Sequence, residues 1–214
     1  NILENRRRFL SIFGDGYRFT SVWQIHSDLV KTVSSDEEIQ NTEDRCDALT
    51  SNKPGLLIGV KTADCVPVLL GDPVTGAYAA IHAGWRGTVE SIVVKTVEAM
   101  FERFNVNPKN LVCAIGPAAT AANYEIGQDV IDAFGSKFPG SDHLFIPTKA
   151  GHAKIDLHQA NFEQLQSMGI SGENISVAPF CTMERTDLFF SYRVEKRTMG
   201  KTGRLMSVIG QIQS

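Results

Sequence analysis

Short apolar runs broken by polar turns fill the first half of the chain. LLIGVK at 56–61, VPVLL at 66–70 and AYAAIH at 77–82 are apolar and rich in β-branched residues, and predict three strands, with a Gly-Asp-Pro and Thr-Gly turn between the last two. The period then changes. Ile92, Val93, Thr96, Val97, Met100 and Phe104 recur at helical spacing, and predict an amphipathic helix that Thr88 caps and Asn107-Pro108 ends. LVCAIG at 111–116 predicts another strand, and helices are expected at 127–135 and 156–168. An opening helix is expected over Leu3 to Ile12, where Arg6, Arg7 and Arg8 form a solvated face. The last third reads as strands: ISVAPF (175–180), LFFSYRV (188–194) and RLMSVIGQI (204–212). Helices interleaved with strands, followed by a strand-heavy end, predict a single α+β domain with a mixed sheet over 1–214.

Composition narrows the function classes. The 214 residues carry 21 Lys plus Arg against 24 Asp plus Glu, a net charge of −3, which offers no basic face for nucleic acid. The most apolar stretch, Leu56 to Leu70, is interrupted by Lys61 and Asp64 and falls short of the roughly 18 uncharged residues that a membrane span needs. Cys46, Cys65, Cys113 and Cys181 contain no Cys-x-x-Cys pair, which excludes a zinc ribbon and a thioredoxin-type motif and fits a reducing, cytoplasmic setting. The oligomeric state has no sequence signal. The chain starts at Asn1, without Met and inside a helical pattern, so upstream residues are expected to be missing.

Gly71-Asp-Pro-Val-Thr-Gly76 has the spacing of a phosphate loop, but Ala77-Tyr78 stands where Lys and Ser/Thr are required, so it is a turn. Three other positions carry chemistry. His26 follows Trp23-Gln24-Ile25, Cys65 closes Lys61-Thr62-Ala63-Asp64-Cys65, and His82 ends a strand. Two imidazoles and a thiolate give zinc three ligands and leave one position open, as catalytic zinc sites are built. The same trio without metal is a Cys nucleophile with a His base. Taken singly, Cys65 reads as core and His26 as surface, but the Asp64 carboxylate beside Cys65 is costly to bury at the edge of two apolar strands. Gly84-Trp85-Arg86-Gly87-Thr88 places glycines, a guanidinium and a hydroxyl before a helix, which is either an anion clamp or an ordinary capped loop. Arg193, in an aromatic run, is either a pocket-facing charge or a charge guarding an edge strand.

Ordered motifs then accumulate across nearly the whole chain. Gln24-Ile25-His26, Asp47-Ala48-Leu49, Thr62-Ala63-Asp64-Cys65-Val66-Pro67-Val68 and His82-Ala83-Gly84-Trp85-Arg86-Gly87-Thr88 resemble the YfiH-like, or laccase-domain, family. So do Ile115-Gly116-Pro117, Tyr124-Glu125-Ile126-Gly127, Asp156-Leu157, Cys181-Thr182, Phe190-Ser191-Tyr192-Arg193 and Thr202-Gly203-Arg204. The resemblance implies an α+β fold akin to the catalytic domain of cytotoxic necrotizing factor toxins, and a domain without the family's N-terminal segment. It implies zinc on His26, Cys65 and His82, phosphorolysis of adenosine, inosine, guanosine and methylthioadenosine, and deamination of adenosine. Two positions depart from the pattern: Met183 stands where an aromatic residue often follows Cys-Thr, and Val194 where a second Arg is usual.

On that reading Arg86 and Thr88 clamp phosphate, Arg193 assists, and Asp64 orients a ligand or the base. The historic label of the family is copper-dependent polyphenol oxidase. A multicopper centre needs many imidazoles, largely in His-x-His pairs, and the 5 histidines here are never paired that way. A single copper on the same trio and a Cys65/His82 hydrolase remain as alternatives.

Overall fold

In the computed structural model, residues 2–14 and 16–212 are described; Asn1, Asp15, Gln213 and Ser214 lie outside them. The elements run α1 (Ile2–Leu10), β1 (Arg18–Thr20), β2 (Val30–Thr32), α2 (Asp36–Gln40), β3 (Ala48–Ser51), β4 (Leu56–Thr62), β5 (Val66–Gly71) and β6 (Tyr78–Ala83). There follow α3 (Trp85–Val89), α4 (Ile92–Phe104), β7 (Val112–Ile115), β8 (Glu125–Gly127), α5 (Gln128–Lys137), β9 (Phe145–Lys149) and β10 (His152–Ile155). The chain then forms α6 (Leu157–Ser167), β11 (Ile175–Val177), α7 (Tyr192–Met199) and β12 (Leu205–Gly210).

Six strands form the central sheet in the order β11-β7-β5-β6-β3-β2, with β5-β6 and β3-β6 antiparallel and the outer pairs β2-β3 and β7-β11 parallel. A smaller sheet, β1-β4-β12, and an antiparallel β8-β10-β9 sheet complete the α+β fold. Residue alternation decides which core each side chain joins. Ala79, Ile81 and Ala83 of β6 face the core shared with α4, α5 and α6, whereas Tyr78 and Ala80 face a second core with Leu56, Ile58 and Val60 of β4. β6 is therefore buried on both faces, which is why it reads as an unbroken apolar run rather than an alternating one. His82 shares the face of Tyr78 and Ala80, at the end of the strand. On α4, Ile92, Val93, Val97 and Met100 are all fully buried, each burial worth about 1.5–3 kcal/mol, and this stripe seats the helix on the sheet.

Two sequence expectations fail, for identifiable reasons. The helix expected to start at Thr88 is two helices. Gly84 caps α3, and Ser91, in a left-handed conformation with φ 61°, starts α4. Thr88 lies fully buried inside α3, where its hydroxyl meets Asn161 and its carbonyl accepts a hydrogen bond from Gln164, so it is neither a cap nor accessible to an anion. The expected strand LFFSYRV is a turn leading into α7. The Ser191 hydroxyl accepts from the Val194 amide, and the Asp64 carboxylate accepts from the Arg193 amide at 2.7 Å. A long-range cap thus overrides the β preference of the aromatic residues.

Candidate metal centre

His26 on the loop before β2, Cys65 on the β4–β5 turn and His82 near the end of β6 converge. One nitrogen or sulfur ligand atom from each lies within 4.8 Å of the others. Cys65 Sγ is 3.9 Å from His26 Nε2, and the two imidazole rings meet edge to face at 4.9 Å. A tetrahedral ion with bonds of about 2.0–2.3 Å holds its ligand atoms roughly 3.3–3.8 Å apart, so the trio fits zinc in donor type and would draw together by about 1 Å around it.

Asp47 assembles two of the three. Fully buried, it accepts hydrogen bonds from the amides of Ile25 (3.1 Å), His26 (3.0 Å) and Ser27 (2.6 Å), and from the Ser27 hydroxyl (2.7 Å). It also accepts from His82 Nδ1 at 2.7 Å, an arrangement that leaves Nε2 as the lone-pair nitrogen. These donors hold the His26 loop in place although His26 itself sits at φ 61°, in a region that non-glycine residues enter only when surroundings impose it. Gln24 fixes the same loop to β4 through two hydrogen bonds with the Lys61 backbone, at 2.7 and 2.8 Å.

Cys65 closes the turn from β4 to β5. Asp64, at φ 83°, accepts from the Thr182 hydroxyl and the Arg193 amide, both at 2.7 Å. Its carboxylate is thus committed to holding the turn, so the expectation that Asp64 orients a ligand or base gives way to an anchoring role. The glycines of the His-Ala-Gly-Trp-Arg-Gly segment also serve close packing. A Cβ on Gly84 would stand 3.1 Å from His26 Cδ2 and 3.2 Å from Cys65 Sγ, and one on Gly87 2.9 Å from the Ser27 carbonyl.

Electrostatics separate this thiol from an ordinary one. Burial alone would raise the Cys65 pKa, but His26 and His82 outweigh it and bring the thiol down to about 6. Burial would lower His82, yet Asp47 and Cys65 raise it to about 9. For Asp47 burial opposes ionisation, and His82 with Ser27 overcome it, holding the carboxyl at about 2.

The trio opens into a cavity of about 600 Å3 lined also by Trp23, Gln24, Lys61, Ala63, Tyr192 and Arg204. Arg86 and Arg193 do not line it. Both face a separate cavity of about 350 Å3, Arg86 stacked on Trp85 at 4.3 Å and Arg193 on Tyr124 at 4.9 Å. The structure therefore brings Arg86 and Arg193 to a common cleft whose lining does not include His26, Cys65 or His82. The sequence reading assigns no role to Asp47, which holds His82, or to Lys61 and Arg204, which line the cavity. Lys61, a cation interrupting an apolar strand, was the visible signal.

The sequence profile of the family described as multi-copper polyphenol oxidoreductase laccase matches residues 1–212. The chain belongs to this family. Proteins similar to it include one from Bacteroides thetaiotaomicron named purine nucleoside phosphorylase, 38% identical over 82% of this chain and 64% of that protein. A Corynebacterium glutamicum protein, also named purine nucleoside phosphorylase, is 35% identical over 97% of this chain and 80% of its own length. The chain thus spans just under two thirds of the first relative and more of the second. Among solved laccase-domain structures, Bacillus licheniformis YfiH aligns with a TM-score of 0.90 and 32% identity, covering 98% of this chain and 80% of that one. Among the described residues, no helix is long and apolar enough to cross a membrane.

Proposed function

We propose that this chain is a zinc-dependent purine nucleoside enzyme that cleaves adenosine, inosine, guanosine and methylthioadenosine with phosphate and deaminates adenosine. The observation that carries this reading is that His26, Cys65 and His82 open together into one cavity walled by the exposed aromatics Trp23 and Tyr192. Its volume of about 600 Å3 accommodates a nucleoside with a second small reactant, and aromatic faces suit the flat purine. The relatives' name, purine nucleoside phosphorylase, supports purine nucleosides as the substrate class.

In phosphorolysis a phosphate oxygen forms a bond to ribose C1′ while the bond from C1′ to purine N9 breaks. The bonding pair leaves with the purine, which takes up a proton, and ribose 1-phosphate and free base result. The protein's part is to stack the base between Trp23 and Tyr192 and to exclude water around the sugar. Zinc on His26, Cys65 and His82 would supply Lewis-acid chemistry and, through an open position, an activated water suited to deamination. Asp47 keeps His82 in the tautomer that can bind a metal.

A copper-oxidase reading finds fewer ligands than it needs. His143 is paired with Glu163 and His158 with the Gly116 carbonyl, and the trio is the one such cluster among the described residues. A Cys/His hydrolase draws on a specific observation, the Cys65 thiol held low beside His26 and His82.

Chromatography of inosine incubated with metal-analysed protein, with and without phosphate, tests the proposal. Hypoxanthine is expected only with phosphate, and neither from the Cys65→Ala variant nor after chelation. Turnover that survives chelation but stops on thiol alkylation would replace it with the hydrolase.

A further inference from the structure

The cavity that holds the trio carries a concentration of positive charge that the overall composition hides. Lys61 and Arg204 line it, and Arg6 stands close enough that its charge and that of Arg204, after the larger effect of burial, hold Lys61 below the usual lysine range. Such mutual repulsion is costly unless an anion relieves it. The local carboxylates are spent elsewhere: Glu4 pairs with Arg7 and Arg8, and no Asp or Glu lines the cavity. Arg6 therefore departs from the solvated face on which its neighbours lie. It is half-buried against the Phe19 ring at 5.7 Å, and its Nε is buried with no hydrogen-bond partner. An unsatisfied guanidinium nitrogen inside a fold is a donor without its acceptor. Arg204 spends one nitrogen on the Gly203 carbonyl and stacks over Tyr192 at 5.8 Å, a wall of the same cavity.

We infer that Lys61 and Arg204, supported by Arg6, form the subsite that holds phosphate in this cavity, and that Arg86 and Arg193 do not. The assignment rests on the phosphorolysis reading for its purpose, and on the cation cluster for its place. The Gln24 side-chain amide, paired with the backbone of Lys61, ties the strand end that bears the lysine to the His26 loop, so the cations and the trio share one wall. A phosphate there would lie beside the trio, in the volume that also admits the nucleoside. The cleft of Arg86 and Arg193 includes Glu125 and Asp129, whose charge opposes a bound anion.

Titration calorimetry with inorganic phosphate on the intact protein tests the assignment directly. Binding is expected to weaken on the order of tenfold to a hundredfold in Lys61→Met and in Arg204→Met, the scale of a lost charged hydrogen bond, and to recover in large part in Lys61→Arg. Arg86→Gln and Arg193→Gln are expected to bind phosphate as the parent does. Absent binding by the parent, equal binding by the Met variants, or a loss confined to Arg86→Gln would each overturn it. Turnover separates the two claims. Phosphorolysis with an unchanged phosphate KM in both Met variants keeps the activity and overturns the subsite. Phosphate bound through Lys61 and Arg204 by a protein that leaves inosine intact keeps the subsite and overturns the activity. Inosine 5′-monophosphate cleaved without added phosphate, more readily than inosine, would show that the cations serve a phosphate on the substrate and would overturn the co-substrate role.

Discussion

Cys113 pairs opposite Leu70 near one end of β5, and Cys65 immediately precedes the other end of that strand. The two thiols flank the same strand, Cys113 on its neighbour β7 and Cys65 on the turn that leads into it, and diverge in chemistry. Burial alone acts on Cys113 and pushes it up to about 12, the behaviour of a small inert hydrophobe. Burial acts on Cys65 too, yet two imidazoles bring it down to about 6. Depth in the fold does not distinguish a structural cysteine from a ligand. The groups facing it do, and these arrive on a loop and a strand end that are separate in sequence.

The largest expected contrast comes from removing each thiol in turn. Cys65→Ala is expected to lose bound zinc and to lower nucleoside turnover about a thousandfold or more, the scale of several kcal/mol of metal-supplied charge stabilisation. Cys113→Ala is expected to keep both and to cost on the order of 1 kcal/mol in stability. Metal analysis and chemical denaturation read the two effects, and equal zinc loss from both variants would erase the distinction.

Asp47→Asn keeps the shape of the hub and removes its charge. Zinc affinity is expected to fall about 10–100-fold, the usual effect of losing the carboxylate behind a ligating histidine. Stability should fall by about 3 kcal/mol because a buried pair loses one partner. An Asn variant as stable and as tight as the parent would mean that packing, and not charge, positions His82.

Acidity gives a gentler test. In the metal-free protein the folded Cys65 pKa is depressed, so its thiolate persists until the pH falls through about 6. The folded His82 pKa is raised, so its proton is lost only as the pH rises through about 9. Between these values zinc must displace one proton. Apparent affinity should therefore rise about tenfold per pH unit, more steeply below the window and flat above it. Chelator competition across the range checks the slope. A flat profile would mean that His82 is already neutral.

The smallest effect is expected at Gly84. An alanine there must displace His26 or Cys65 by a few tenths of an ångström. Zinc affinity should fall severalfold, with about 1–3 kcal/mol of overpacking seen in thermal unfolding.

Much of this was legible in the order of residues. Apolar period alone located β4, β5, β6 and the body of α4, because buried strands and an amphipathic helix each impose their own spacing. It failed at α7, where the Ser191 cap is reinforced by the Asp64 carboxylate far away in sequence, and at Thr88, whose partners lie on α6. The motifs named His26, Cys65 and His82 as partners, which periodicity could not. They did not reveal that Asp47 is the hub, because a carboxylate that gathers loop amides has no characteristic spacing. Arg86 looked like an anion clamp because glycines beside a helix often mark one. In this fold those glycines admit the neighbouring loops, and the guanidinium stacks outward on Trp85.

The turn that carries Cys65 is held by Thr182 and the amide of Arg193, although all three ligands have been synthesised by His82. On a ribosome, then, the donors would emerge long before the clamp that shapes their turn. A nascent chain would hold a thiol and two imidazoles without the clamp that shapes the turn between them. The spacing of the trio is thus a property of the completed polypeptide, set only when α7 docks.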